Sequence, residues 1–166
     1  MADQDSTLTK EYLQSIFEYK DGNLYRKITT SPKAKVGKKV GFLISRKRVQ
    51  TVLNKKYYLV HRLIFMMFHG YMPKLIDHIN GNSLDNRIEN LREATHSQNC
   101  MNRKLSKSSK SRVKNVCLNK PTNKWKAFIT VNNKQIHLGY FVDIKDAEQA
   151  VIEARKKYHK EFANNG

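Results

Sequence analysis

The 23 residues from Asp77 to Asn99 gather an Asp77-His78 pair, an asparagine-rich stretch through Asn80-Gly81-Asn82 and Asp85-Asn86-Arg87, the tripeptide Asn90-Leu91-Arg92 and a Gln98-Asn99 pair. These residue types suit hydrolysis of a phosphodiester. That reaction needs a hard divalent cation held by oxygen ligands beside the scissile phosphate, where it stabilises the leaving 3′-oxygen. It also needs a base to activate water on the opposite side, and neutral imidazole serves this near pH 7. Asp77 offers a charged oxygen, Asn99 a neutral amide oxygen and His78 the base. If residues 77 and 78 lie in a strand, their side chains point to opposite faces, so one can face the metal and the other the water.

The elements that must position these groups are readable on both sides. Thr7 through Tyr19 reads as a helix capped by Thr7 or Thr9, with Leu8, Tyr12, Leu13, Ile16 and Phe17 on one face. Asp21-Gly22-Asn23 signals a turn before a strand over Leu24–Ile28, and Gly37 and Gly41 punctuate a strand-rich stretch. Strands are expected over Val49–Leu53 and Tyr57–Val60 around Asn54-Lys55-Lys56. Val60–Phe68 is apolar at helical spacing and stops at Gly70, a good C-cap residue. The Asp77–Asn82 segment reads as a sharp, irregular loop. Asn90-Leu91-Arg92 is a short strand candidate, and Thr95-x-x-Gln98 matches a capping box that predicts a helix over His96–Arg103.

Charge is unevenly placed. The chain of 166 residues carries 32 Lys+Arg against 14 Asp+Glu, a formal net charge of +18. Gly22 to Ile76 holds 13 Lys/Arg and no acid, and Ala94 to Val142 holds ten and again no acid. Between them, Asp77, Asp85, Glu89 and Glu93 form an acidic island with only Arg87 and Arg92. Long acid-free basic segments suit a polyanion, because neutralising phosphates releases counterions. No apolar run reaches the ~18–20 residues of a membrane span, and the basic residues do not share one amphipathic helix. The first five residues lack signal-peptide character, so an intracellular protein is expected, in the host-cell cytoplasm if the chain is phage-encoded. Cys100 and Cys117 have no metal-finger spacing and read as ordinary thiols.

The central segment resembles the HNH nucleases of the ββα-metal class, and most closely the phage and intron-encoded homing endonucleases of that group. The resemblance rests on His61-Arg62-Leu63, Asp77-His78-Ile79-Asn80-Gly81-Asn82, Asp85-Asn86-Arg87, Asn90-Leu91-Arg92 and Gln98-Asn99-x-x-Asn102. It implies His78 as general base, Asp77 and Asn99 as metal ligands, and Asn90 as the structural asparagine that braces the loop between the strands. Asn99 stands where the third motif letter is His in other members, which looks like the nucleases that bind one divalent ion. Asn is a hard-oxygen ligand, so one Mg²⁺ or Mn²⁺ per site is expected in place of zinc. His61 precedes an apolar helix and is expected to be a buried hydrogen-bonding residue, His96 a surface or capping residue, and Asp85, Asn86 and Arg87 to fix the loop. Arg62, Arg87 and Arg92 either contact phosphate or pair with Asp85, Glu89 or Glu93.

Residues 106–111 are Ser/Lys-rich and read as a linker. Beyond them come strand candidates Val113–Leu118, Lys124–Val131 and Gln135–Leu138, then a helix over Ile144–Phe162 with Ala147, Ala150, Val151, Ala154 and Tyr158 on one face. This part looks like an AP2-type DNA-binding domain, on the strength of Val113-Lys114-Asn115-Val116, Lys124-Trp125-Lys126-Ala127, Ile136-His137-Leu138-Gly139-Tyr140-Phe141 and the alanine-rich helix with Tyr158. Asn115 is a departure, because the family usually has Gly there. Alternation packs Trp125, Ala127, Ile129 and Val131 on the helix and turns Lys126, Phe128 and Thr130 outward, as it does Gln135 and His137. A sheet offering Lys, Thr, Gln and His can enter a major groove, where Gln reads adenine and Lys guanine. Phe128 either contacts a thymine methyl or packs at the sheet edge.

The expectation is therefore an α+β chain: a strand-rich N-terminal region leading into a ββα-metal motif (residues 1–105), a linker, and a small three-stranded sheet packed on one helix (112–166). The function expected is metal-dependent, site-selective cleavage of double-stranded DNA by a monomer or homodimer. Arg62, Arg92, Lys114, Lys124, Lys126, Phe128, Thr130, Gln135 and His137 are the candidate DNA contacts. The alternative is a non-catalytic DNA-binding regulator on the same scaffold. An RNA-binding role lacks the aromatic platforms of the common RNA modules.

Overall fold

The computed structural model describes residues 8–44, 47–106 and 108–165. The chain folds as two compact units, Met1–Glu93 and Ala94–Gly166.

In the first unit, Thr9 caps helix α1 (Lys10–Ile16), its side chain accepting from the Tyr12 amide; Thr7 lies outside the described residues. The helix is shorter than expected. From Phe17 the chain becomes strand β1 (Phe17–Lys20), paired antiparallel with β2 (Asn23–Arg26). The Asp21-Gly22 turn joining them has φ of 44° and 76°, the twist that suits a two-residue hairpin. Ladder bonds and burial of Phe17 outweigh helical continuation there. A three-stranded antiparallel sheet follows, β3 (Phe42–Ile44), β4 (Arg48–Leu53) and β5 (Lys56–Leu59), in the order β3-β4-β5. Helix α2 (Val60–His69) leaves β5 directly and ends on left-handed Gly70, whose amide bonds the Met66 carbonyl. Its buried face carries His61, and its apolar members Val60, Leu63, Ile64, Phe65 and Met67 join Leu13, Phe17, Leu24, Leu53, Ile76 and Leu91 in one core.

The strands β6 (Ile76–His78) and β7 (Leu91–Glu93) pair antiparallel with Asp77 opposite Arg92 and His78 opposite Leu91. The irregular loop thus begins at Ile79, two residues later than the turn-rich sequence suggests, because Asp77 and His78 are drawn into the ladder. Asn90 ends a 3-10 turn (Ile88–Asn90) and does not open the strand.

The second unit starts with α3 (His96–Met101), where the Thr95 and Gln98 side chains complete the reciprocal capping box. The helix stops at Met101, short of Arg103. Strands β8 (Val116–Asn119), β9 (Lys124–Val131) and β10 (Lys134–Phe141) form an antiparallel sheet in the order β10-β9-β8. Helix α4 (Ile144–Tyr158) covers one face, and Val116, Ala127, Ile129, Ala147, Val151 and Ala154 make the core between them. Two expectations need correction. Tyr158 is exposed and Arg155 is buried in its stead; and the helix ends before Phe162, where Lys160 takes a φ of 49°. The first strand starts at Val116, not Val113, because Arg112 and Asn115 adopt φ of 57° and 65°. Asn115 thus takes the left-handed conformation a glycine would supply, which asparagine tolerates better than most residues. The Ser/Lys-rich run lies within the second unit. Ser111 is buried and donates to the Val113 carbonyl, while Lys107 falls outside the described residues. Helix and sheet together make the chain an α+β protein.

Candidate active site and nucleic-acid face

The β6–β7 ladder sets the first site. Asp77 and His78 are 5% and 8% exposed. Asp77 shares its side of the ladder with Arg92, whose Nε and Nη2 lie 3.0 and 2.9 Å from Asp77 Oδ2. His78 faces the other way. Its Nε2 lies 3.0 Å from Asn86 Oδ1, and its ring centroid is 5.1 Å from that of His61 in an edge-to-face contact. With Asn86 Oδ1 as acceptor, Nε2 carries the hydrogen and the basic nitrogen is Nδ1. His61 sits in the first turn of α2, 6% exposed. Burial first, then the positive fields of His78, Arg48 and Arg62, push its imidazole down to about 3, so it is a neutral neighbour for His78.

Loop 79–90 is held by its own side chains. The Asn90 amide donates to the Asp85 carbonyl at 2.7 Å and to Asn80 Oδ1 at 3.1 Å, and its Oδ1 accepts from the Asn80 amide at 3.0 Å. Arg87 makes a two-pronged bond to Asp85 at 2.9 and 2.8 Å, which holds that carboxyl well below the usual range. Asn86, 3% exposed, is positioned from the far side by the β1–β2 hairpin. A Cβ at Gly22 would stand 2.7 Å from the Arg87 nitrogen and 2.8 Å from the Asn86 carbonyl carbon, so only glycine lets that turn approach. Tyr19 Oη completes the brace by accepting from the Ile88 amide at 3.0 Å. Asn86 as the partner of His78 was not legible in the sequence, where it reads as one loop residue among several.

The other candidates fall as follows. Arg62 is half-buried and donates to the Pro73 and Lys74 carbonyls. His96 is exposed, with Nε2 at 3.7 Å from Cys100 Sγ. Asn99 is half-buried on α3 in the second unit. Asp77 and an asparagine oxygen are hard donors, and a single carboxylate suits an ion that keeps much of its water shell. Among the described residues no group of three or more His, Cys, Asp or Glu is gathered as a metal cluster.

In the second unit one sheet face gathers Lys126, Phe128, Thr130, Gln135 and His137, since the register pairs Thr130 with Gln135 and Phe128 with His137. Trp125 and Val131 pack with Ala127 and Ile129 on the α4 side. Lys124 is exposed at the start of β9. Tyr140 joins the outer face, 48% exposed and 4.7 Å from the His137 ring. Strict alternation would turn Tyr140 inward, but a bulge between His137 and Gly139 shifts the register. The isolated Gly139 is the sequence signal for that bulge. Lys114 turns away from the sheet: its Nζ donates to the Met101 and Asn164 carbonyls at 2.9 and 2.7 Å.

Residues 58–101, from β5 through α3, match the family model described as HNH endonuclease, so this stretch is an HNH nuclease domain. HNH nucleases generally use divalent metals and act on DNA. Protein 3.8 of Escherichia phage T7 is 31% identical over 105 residues, which span 62% of this chain and 86% of that protein; the chain belongs to the same family. No solved structure matches it significantly. Among the described residues no helix is long and apolar enough to cross a membrane.

Proposed function

We propose that the chain is a metal-dependent endonuclease that hydrolyses phosphodiester bonds in double-stranded DNA, site-selectively and in the manner of homing enzymes. The observation that carries this reading is the β6–β7 ladder, which buries Asp77 and His78 with separate partners inside the stretch that matches the HNH family. His78 Nδ1 takes the proton of the attacking water, while Asn86 on Nε2 and His61 against the ring keep the imidazole oriented. Asp77 and Asn99 hold one Mg²⁺ or Mn²⁺; Asn99 is assigned on the motif order alone. The bound cation supplies charge stabilisation for the leaving 3′-oxygen. Asn90 keeps the loop between the strands closed.

The sheet of the second unit is an AP2-type DNA-reading face, with Lys124, Lys126, Phe128, Thr130, Gln135 and His137 as contacts and Tyr140 added to them. Its support is the shared face and the absence of acids from Ala94 to Val142. Anchoring supplies position and the metal site supplies rate.

Cleavage of supercoiled plasmid with Mg²⁺, and with EDTA, tests the reading. Asp77→Ala and His78→Ala are each expected to lose about a hundredfold or more in rate while still shifting duplex DNA in a gel. Full cleavage by either variant, or cleavage in EDTA, overturns it. Binding without cleavage by the unmodified chain selects the regulator reading.

A further inference from the structure

Arg92 occupies one oxygen of the carboxylate that the cation needs. Both its Nε and its Nη2 converge on Asp77 Oδ2, at 3.0 and 2.9 Å. The ladder register puts the two residues directly opposite, so the contact is built into the strand pairing and is not a chance surface meeting. The Asp77 side chain is 6% exposed and that of Arg92 16%. A guanidinium and a divalent cation cannot both sit on that oxygen at these distances, since their like charges repel strongly where water is largely excluded. A cation that takes Oδ2 must therefore displace Arg92. A displaced guanidinium in a poorly hydrated place needs another anion, and a DNA phosphate supplies one in the geometry arginine prefers.

We propose that Arg92 is a positioning residue that gates cation loading: without DNA it holds Asp77 as an internal counter-ion, and DNA phosphate draws it away so that the cation can bind. This rests on the assignment of Asp77 as metal ligand given above. In thermodynamic terms, DNA and the divalent cation bind with positive coupling, and each tightens the other by the same factor. The arrangement keeps the hydrolytic centre unloaded until substrate arrives.

Mn²⁺ binding followed by electron paramagnetic resonance tests this without reading cleavage. The background is His78→Ala, so that duplex DNA survives the titration. In that background DNA is expected to tighten Mn²⁺ binding by about fivefold or more, the lower end of ordinary coupling. Adding Arg92→Gln is expected to tighten binding by about the same factor without DNA and to abolish the response to DNA. Arg92→Lys, which keeps a cation but not the two-pronged contact, is expected to restore part of the coupling. Mn²⁺ affinity that ignores DNA in the first protein, or that is unchanged or weaker in Arg92→Gln, overturns the gate. Asp77→Asn supplies the separate control. If it binds Mn²⁺ as well as its parent, the ligand assignment itself fails. If it loses binding while Arg92→Gln leaves affinity unchanged, the gate alone fails.

Discussion

Arg92 in the first unit and Arg155 in the second are both withdrawn from solvent, yet their partners differ in kind. Arg92 lies on the carboxylate of Asp77. Arg155, 2% exposed, donates to the Lys114 carbonyl and to the amide oxygens of Asn115 and Asn165, and no carboxylate stands within ion-pair distance of it among the described residues. Neutral oxygens compensate a buried charge less fully than an anion does, and burial lowers the Arg155 pKa. The contrast separates two uses of buried positive charge. Arg155 ties helix α4 to the turn before β8 and to the segment after the helix, and nothing there would attract a second cation. Arg92 balances an anion that another cation can claim.

The strongest challenge to this contrast is to delete each guanidinium. Arg92→Met leaves the Asp77 carboxylate buried without this partner and is expected to cost about 3–5 kcal/mol. Arg155→Met leaves neutral oxygens behind and is expected to cost about 1–3 kcal/mol. Urea denaturation measures both. Millimolar Mg²⁺ should recover part of the first loss, because an ion that binds only the folded state stabilises it, and none of the second. An equal recovery in both variants would break the distinction.

The two units also differ in how far they were legible. In the second, alternation along Lys124–Val131 assigned the faces because a sheet with one covered side enforces a period of two. The capping box at Thr95–Gln98 fixed the start of α3 for a local reason as well. The failures came where tertiary bonds override local preference. Arg155 took an interior place beside Ala154 because three oxygens from distant segments wait for it, which helical spacing does not encode. Tyr140 changed faces through a bulge. In the first unit, Asp77, His78 and Asn90 stood out by type and spacing. Their partners did not: Asn86 meets His78 only because Gly22 lets the hairpin press on the loop, and His61 reaches His78 only through packing of α2 on the ladder.

Acid offers a second, gentler probe. His61 stays neutral in the folded chain down to about pH 3, whereas in the unfolded chain it takes a proton near 6.5. Between those values the unfolded state binds the extra proton. This group therefore costs stability as pH falls from 6.5 towards 3, with a slope of up to about 1.4 kcal/mol per pH unit. His159 in the second unit is also lowered by burial, but its bond to the Thr130 carbonyl opposes the shift, so its slope should be shallower. Denaturation midpoints between pH 4 and 7 for His61→Phe and His159→Phe compare them. The first substitution should flatten the acid slope more; the reverse order would place the acid-sensitive burial in the second unit.

Lys114 carries the comparison to the alkaline side, with the smallest expected effect. Burial, aided by the charge of Arg155, lowers its ammonium to about 8, against 10.5 for an exposed lysine. Between these values the folded chain has released a proton that the unfolded chain still holds. Stability from this group therefore rises as pH climbs through the window, and below pH 8 the cost of burying the charge is fully present. Solvent reaches the half-buried side chain, so the change should stay below about 1 kcal/mol. The measurement is the stability of the unmodified chain relative to Lys114→Met, which should rise from pH 7.5 to pH 10. A relative stability that falls instead would mean that the carbonyls of Met101 and Asn164 stabilise the ammonium more than burial penalises it, and that neutral oxygens in the second unit compensate charge as well as the carboxylate does in the first.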